Sequence, residues 1–167
     1  MKTNADERWE SFGITLDFLK VKAEWLRAPR TLHGNSVRFF ELAGTLISHS
    51  RYDYPLSSLA FFQAVIGLER ALKLHYRTEE KNLGALLAAA LEESLVRDSL
   101  FSIIAPFTKE FVRQIDNRSS SHSETLVALV PKLRNQFFHG TYLLAPDYVH
   151  LTLQLREIAD VLVTRKG

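Results

Sequence analysis

Apolar residues recur at intervals of three and four through nearly the whole chain, which is the period of an α-helix. Over 5–27, Trp9, Phe12, Leu16, Leu19, Ala23 and Leu26 form one stripe, and Pro29 is placed to end that helix. Phe39, Phe40, Ala43 and Ile47 predict a second helix over 36–48. Tyr52-Asp53-Tyr54-Pro55 reads as a turn. The strongest pattern spans 56–76, where Leu59, Phe62, Ile66, Glu69, Leu72 and Tyr76 keep a three-four spacing around Ala64, Val65 and Leu68.

Asn82 is placed to cap a shorter helix over 83–93. Another is predicted over 98–115, kinked or split by Pro106. The polar run Asn117-Arg118-Ser119-Ser120-Ser121 is a loop. Ser121 and Glu124 have the spacing of a capping box, in which each side chain satisfies a free backbone N–H. The helix they start should run to about Phe138, with Pro131 either bending it or marking its true start, and with Gly140 as a left-handed stop. Tyr148, Leu151, Leu155, Ile158 and Leu162 then predict a last helix over 147–164. Val149, Leu151, Leu153 and Leu155 also alternate like a short strand, but the length of the segment favours the helix. The fold class is therefore all-α, in one domain over 1–167, with short helices beside the long ones.

Composition narrows the chemistry. Eleven Phe, two Trp and five Tyr supply a core. The absence of cysteine excludes disulfides, thiolate catalysis and cysteine-held metals, and suits a reducing, cytoplasmic setting. A net charge of only +2 means that any contact with RNA must be local rather than driven by a global field. The start of the chain lacks the pattern of a signal peptide. No charge-free apolar window of about eighteen residues predicts a membrane span.

The most specific run is Arg134-Asn135-Gln136-Phe137-Phe138-His139-Gly140. Arg134 and His139 lie about 500° apart round a helix, on adjoining faces that a long Arg side chain can bridge, while Asn135 and His139 share a face at i, i+4. Gly140 puts His139 in the last turn, among free carbonyls that suit a proton-donating imidazole. Metal-free RNA cleavage needs a base for the 2′-hydroxyl, an acid for the leaving 5′-oxygen and a cation for the phosphorane. His can move the protons, Arg is a fork-shaped phosphate binder, and Asn can orient either. One chain offers one such set, and a two-fold axis would bring two together.

Arg-x4-His alone is weak evidence. With thirteen Arg and six His, roughly half an occurrence is expected by chance. Arg70-Ala71-Leu72-Lys73-Leu74-His75 repeats the spacing without the Asn or the Gly, and reads as a solvated helix face.

The second copy combines Arg-Asn, three residues and His-Gly, after an apolar Leu133, in the next-to-last helix. It resembles the Arg-Asn-x3-His core of HEPN domains, whose general form is Arg-x4–6-His. The stretch from Ser50 to Lys73, with its Ala-rich apolar face before Glu69 and Leu72-Lys73, also resembles that family's long central helix. Together the two stretches cover about a third of the chain. The resemblance implies an up-and-down helical bundle, usually a homodimer, and a metal-independent RNase of toxin–antitoxin, abortive-infection or other defence systems, needing no cofactor. It implies Arg134 and His139 as the catalytic pair, with Asn135 assisting. Some members of the family only bind RNA or are otherwise non-catalytic, and nothing here implies DNA. In several toxins a nucleotidyltransferase partner modifies a Tyr two residues after the His. Tyr142 stands one position later than that.

Glu69 reads first as a satisfied structural carboxylate, and alternatively as a support for Arg134 or His139, a role in which Tyr142 is the other candidate. Glu79-Glu80 and Glu92-Glu93 read as solvated pairs. His33, His49, His122 and His150 lack ligand spacing, and no His follows a Glu by three as a di-iron bundle would need. No Gly-rich phosphate loop is present. Phe137 and Phe138 cannot both face inward, so one of them is expected at a partner surface. The rival to the RNase is therefore a helical interaction module without chemistry.

Overall fold

The computed structural model describes residues 5–27, 36–102, 121–139 and 148–164. Seven α-helices lie among these residues, with no strand: α1 (Arg8–Ser11), α2 (Leu16–Arg27), α3 (Ser36–Ser50), α4 (Leu56–Tyr76), α5 (Leu83–Glu92), α6 (His122–Phe138) and α7 (Tyr148–Thr164). The chain is an all-α helical bundle. Helix α4 is its axis, packed chiefly between α3 and α7, with α2 on the far side of α3 and with α5 and α6 paired beside it. Among the described residues no helix is long and apolar enough to cross a membrane.

Where the local signals are chemical, the helices begin as the sequence predicts. Asn82 Oδ1 accepts the Ala85 N–H at 2.9 Å, which starts α5. Ser121 and Glu124 form both halves of the capping box of α6. Pro131 lies inside α6 and does not start it. The predicted endings at Pro29 and Gly140, the Pro106 kink, most of the predicted loop, and both His33 and Tyr142 lie outside the described residues.

Three expectations need correction. The first helix is two helices. Gly13 has φ +67°, with Ile14 N–H bonded to Trp9 O and Gly13 N–H to Glu10 O. That paired bonding is a Schellman termination. Thr15 Oγ1 then caps α2 by accepting the Phe18 N–H at 3.1 Å. The break leaves Leu16 exposed and buries Ile14 in its place. Second, the helix predicted from Asp98 does not start there: Asp98–Leu100 is a 3₁₀ turn and Phe101 is extended, while 103–115 lie outside the described residues. The Asp98 carboxylate is used instead by α6, whose Ser123 N–H it accepts at 2.8 Å. These bonds, led by the Ser123 hydroxyl, hold its carboxyl below the usual carboxylate range. Third, the buried face of α4 is centred on Ala60, Phe61, Ala64, Val65, Leu68 and Leu72, while Leu59 is 38% exposed. The stripe through Leu59, Ile66 and Glu69 lies roughly 150° round the helix from the centre of that face.

Helix α7 shows why its sequence supported two readings. Val149, Leu151, Leu153 and Leu155 are buried along with Ile158 and Leu162, and so are Thr152, Gln154 and Arg156. A helix buried nearly all round carries apolar residues at the periods of both strand and helix.

Trp9 ties α1 to the α3–α4 corner, donating its indole N–H to Ser50 O at 2.6 Å and resting against the Tyr54 ring. Small residues set the spacing of the helices. A Cβ at Gly44 of α3 would stand 2.7 Å from the Ala23 carbonyl oxygen of α2. At Gly84 of α5 the nearest neighbour would be 3.5 Å away. Ala ordinarily favours a helix over Gly by about 1 kcal/mol. Gly44→Ala is expected instead to destabilise by about 1–2 kcal/mol, since a backbone oxygen cannot step aside. Gly84→Ala should be neutral or stabilising, by up to about 1 kcal/mol. Urea denaturation of the two variants checks the opposite signs.

His150 on α7 lies beside Phe18, and burial, with a lesser push from the Lys22 ammonium, lowers its pKa from 6.5. The native state therefore favours the neutral ring, and the unfolded chain takes up a proton first as pH falls. This contribution to stability is full above 6.5 and is lost as pH falls from there toward the lower native value. Melting temperature should drop on acidification from about pH 8 to about pH 5.5, and drop less in His150→Gln. Identical slopes in the two proteins would remove His150 from the account.

Candidate functional site

The motif occupies the C-terminal end of α6. Leu133 is buried and anchors the last turns to the core, while Asn135, Gln136, Phe138 and His139 are exposed. Arg134 is partly exposed and its guanidinium has three neighbours. Nη2 stands 3.7 Å from Glu69 Oε2 on α4. Nη1 donates to Asn135 Oδ1 at 3.4 Å. The guanidinium carbon lies 4.9 Å from the centre of the Phe138 ring. Phe138 is one turn beyond Arg134, at i, i+4, so the helix itself supplies the cation–π contact.

His139 closes the helix, its backbone N–H bonded to Asn135 O at 3.1 Å. Its ring makes no hydrogen bond or ion pair with Arg134, Asn135 or Glu69. The fold thus gathers Arg134, Asn135, Glu69 and Phe138 into one contact group, and leaves the His139 imidazole free in solvent on the adjoining face.

Glu69 is the hinge of the group. Its other oxygen faces Lys73 Nζ at 3.4 Å, one turn along α4. A half-buried carboxylate between two cations holds Arg134 against α4 and leaves guanidinium N–H groups for a ligand. Of the two readings of Glu69, its contacts include Arg134 and do not include His139. Phe62 on α4 stacks on Phe137 at 3.9 Å and meets the edge of Phe138 at 5.0 Å. Phe137 therefore packs inward, and Phe138 is 62% exposed.

The chain matches no family model, no curated protein and no solved structure.

Sequence reasoning missed Lys73 and Phe62 as members of this group. The Glu69–Lys73 spacing of four was the available signal for the first. Nothing local marks Phe62, whose role depends on where α6 crosses α4. The other Arg-x4-His copy is taken apart by the fold. Arg70 is exposed, whereas His75 Nδ1 lies 3.2 Å from Leu162 O on α7. A polar cluster that the sequence did not suggest joins His122 Nε2 to Gln154 Nε2 at 2.9 Å, beside the Asp98–Ser123 bond. It fastens the start of α6 to α7. Among the described residues no three His, Asp or Glu side chains converge as metal ligands.

Proposed function

We propose that this chain is a metal-independent endoribonuclease of the HEPN type, acting in toxin–antitoxin or abortive-infection defence. The observation that carries the reading is the Arg134–Asn135–Phe138 group, braced by Glu69, with a free His139 imidazole at the same helix end. A guanidinium and an imidazole at one helix end are the two chemical groups that phosphodiester transfer requires.

In the proposed reaction the substrate's 2′-oxygen attacks the adjacent phosphorus as its proton leaves to a base. The P–O5′ bond breaks and O5′ takes a proton from an acid. The products are a 2′,3′-cyclic phosphate and a 5′-hydroxyl. Arg134 binds the non-bridging oxygens and stabilises the extra charge of the phosphorane. Asn135 orients the guanidinium. His139 moves one of the two protons, and a second copy of the chain, set across a two-fold axis, would supply the other imidazole. A homodimer with a shared cleft is therefore part of the proposal. A nucleotidyltransferase-like antitoxin is the partner that the family resemblance suggests, but Tyr142 stands one position beyond the Tyr that such partners modify.

Two observations favour the rival, a non-catalytic RNA-binding or protein-interaction module. Phe138 presents a large ring to solvent and His139 is not oriented by any of its motif neighbours. Incubating total cellular RNA with the protein in EDTA, and testing the fragments for cyclic phosphate ends, decides between the two. The RNase produces such fragments and slows growth when expressed; the module does neither.

A further inference from the structure

We propose that the groove between α3 and α4 is a second contact site for single-stranded RNA, taking a phosphate and a base away from the scissile bond. The identity of the ligand rests on the ribonuclease reading, whereas the place rests on the groove's own chemistry.

The groove has a volume of about 330 Å³ and is lined by Arg38, Phe39, Leu42, Gln63 and Arg70. Among the described residues no carboxylate lines it. Neither Arg38 nor Arg70 forms a hydrogen bond or an ion pair among the described residues, whereas Arg8, Lys73, Arg134 and Arg156 each face a carboxylate. Two guanidiniums that share a groove without a counter-charge repel each other, and an anion between them relieves that repulsion. Their planar forks match the oxygens of a phosphate. Half-buried Phe39 and Leu42, which is 45% exposed, offer an apolar surface to a base, and the Gln63 amide can bond to a base edge.

The location connects this groove to the candidate site. Arg70 directly follows Glu69, the residue that holds Arg134. Their side chains leave α4 about 100° apart at almost the same level. The two cationic positions therefore flank the outer face of α4, at a separation of roughly 10 Å on a helix of ordinary diameter. Ile66 and Lys73, each within about a turn of that level, lie on the arc between them, and exposed Phe138 stands on the Arg134 side. A strand crossing α4 would meet cations on both flanks and apolar surface between and beside them, the arrangement that holds unpaired nucleic acid. The His75 contact with α7 leaves Arg70 available for this role.

The test uses a fluorescein-labelled 2′-O-methyl oligoribonucleotide of about twelve nucleotides, which the protein can bind but cannot cut. Fluorescence anisotropy compares wild type with Arg38→Gln/Arg70→Gln over a range of salt concentrations. The double variant is expected to bind about tenfold more weakly or worse, and the slope of log affinity against log salt should shrink by about 0.7 for the one lost phosphate contact. Cleavage of a dinucleotide, too short to reach the groove, should be unchanged. Equal affinity and equal slope in the two proteins overturn the proposal even if the protein is an RNase, and so does a wild type that does not bind. A protein that cleaves no RNA, yet loses affinity and slope in the double variant, keeps the groove and fails the ribonuclease reading. Arg38→Glu, a single change at an exposed position, repeats the comparison if the double variant does not fold.

Discussion

His139→Ala and Arg134→Ala are each expected to reduce RNA cleavage by about 10²–10⁴-fold while leaving the fold intact. Loss of the imidazole removes a positioned proton carrier. Loss of the guanidinium removes charge stabilisation that is needed most in the phosphorane, so the fall should appear in kcat more than in KM. Neither change opens the core. His139 is exposed, and the Arg134–Glu69 pair is long at 3.7 Å and partly solvated, so its loss should cost less than about 1 kcal/mol. The double variant should be little worse than either single one, because residues that act as a unit are not additive. Arg134→Lys keeps the charge but loses the fork and the ring contact, and should recover only part of the rate. The measurement is a time course on RNA in EDTA, with circular dichroism of each protein. Wild-type protein that does not cut, or three proteins that cut alike, would end the catalytic reading and leave an interaction module.

The largest loss of stability is expected at a residue outside the motif. Arg156 on α7 is only 3% exposed. Its Nη1 donates to the Leu26 carbonyl at 2.7 Å and its Nε to Asp160 at 2.9 Å. Its guanidinium also lies near the Trp25 and Phe40 rings. It therefore joins α2, α3 and α7 at one point. Arg156→Ala leaves a cavity, an unanswered carbonyl and a carboxylate without its cation, at a cost of about 3–5 kcal/mol. At about 2–4 °C per kcal/mol for a chain of this size, the melting temperature should fall by roughly 6–20 °C. Asp160 is more exposed, and Asp160→Asn should cost clearly less. Thermal unfolding of both variants checks the order. A loss below about 1 kcal/mol at Arg156 would show that the buried guanidinium is not a structural joint.

The sequence determined what depends on neighbours within a turn or two. The three-four period makes 56–76 a helix, Asn82 starts α5, and the Ser121–Glu124 box starts α6, because each signal acts through the nearest backbone groups. The same locality puts Phe138 one turn from Arg134 and His139 at the end of the helix. Gly13 lay within reach of the same reasoning, since a Gly between two apolar runs can stop a helix, but the stripe on either side of it outweighed the signal.

Tertiary structure decided which face each helix buries and which distant side chains meet. Helix α4 is packed on several sides, so its period alone does not identify the innermost face. Close approach of α3 at Gly67, where a Cβ would meet the Phe40 ring at 2.9 Å, helps to select it. Arg156 was invisible as a joint because burial of a cation depends on a carbonyl and a ring from α2 and on a ring from α3. Glu69 and Arg134 were both candidates from sequence, yet their contact exists only because α6 ends against α4. Arg38 and Arg70 face one groove for a similar reason, being carried by different helices. Local chemistry writes the helices and their ends into the sequence; the charge pairs, the exposed cations and the groove arise where helices cross, and those crossings depend on the shapes of all the buried side chains at once.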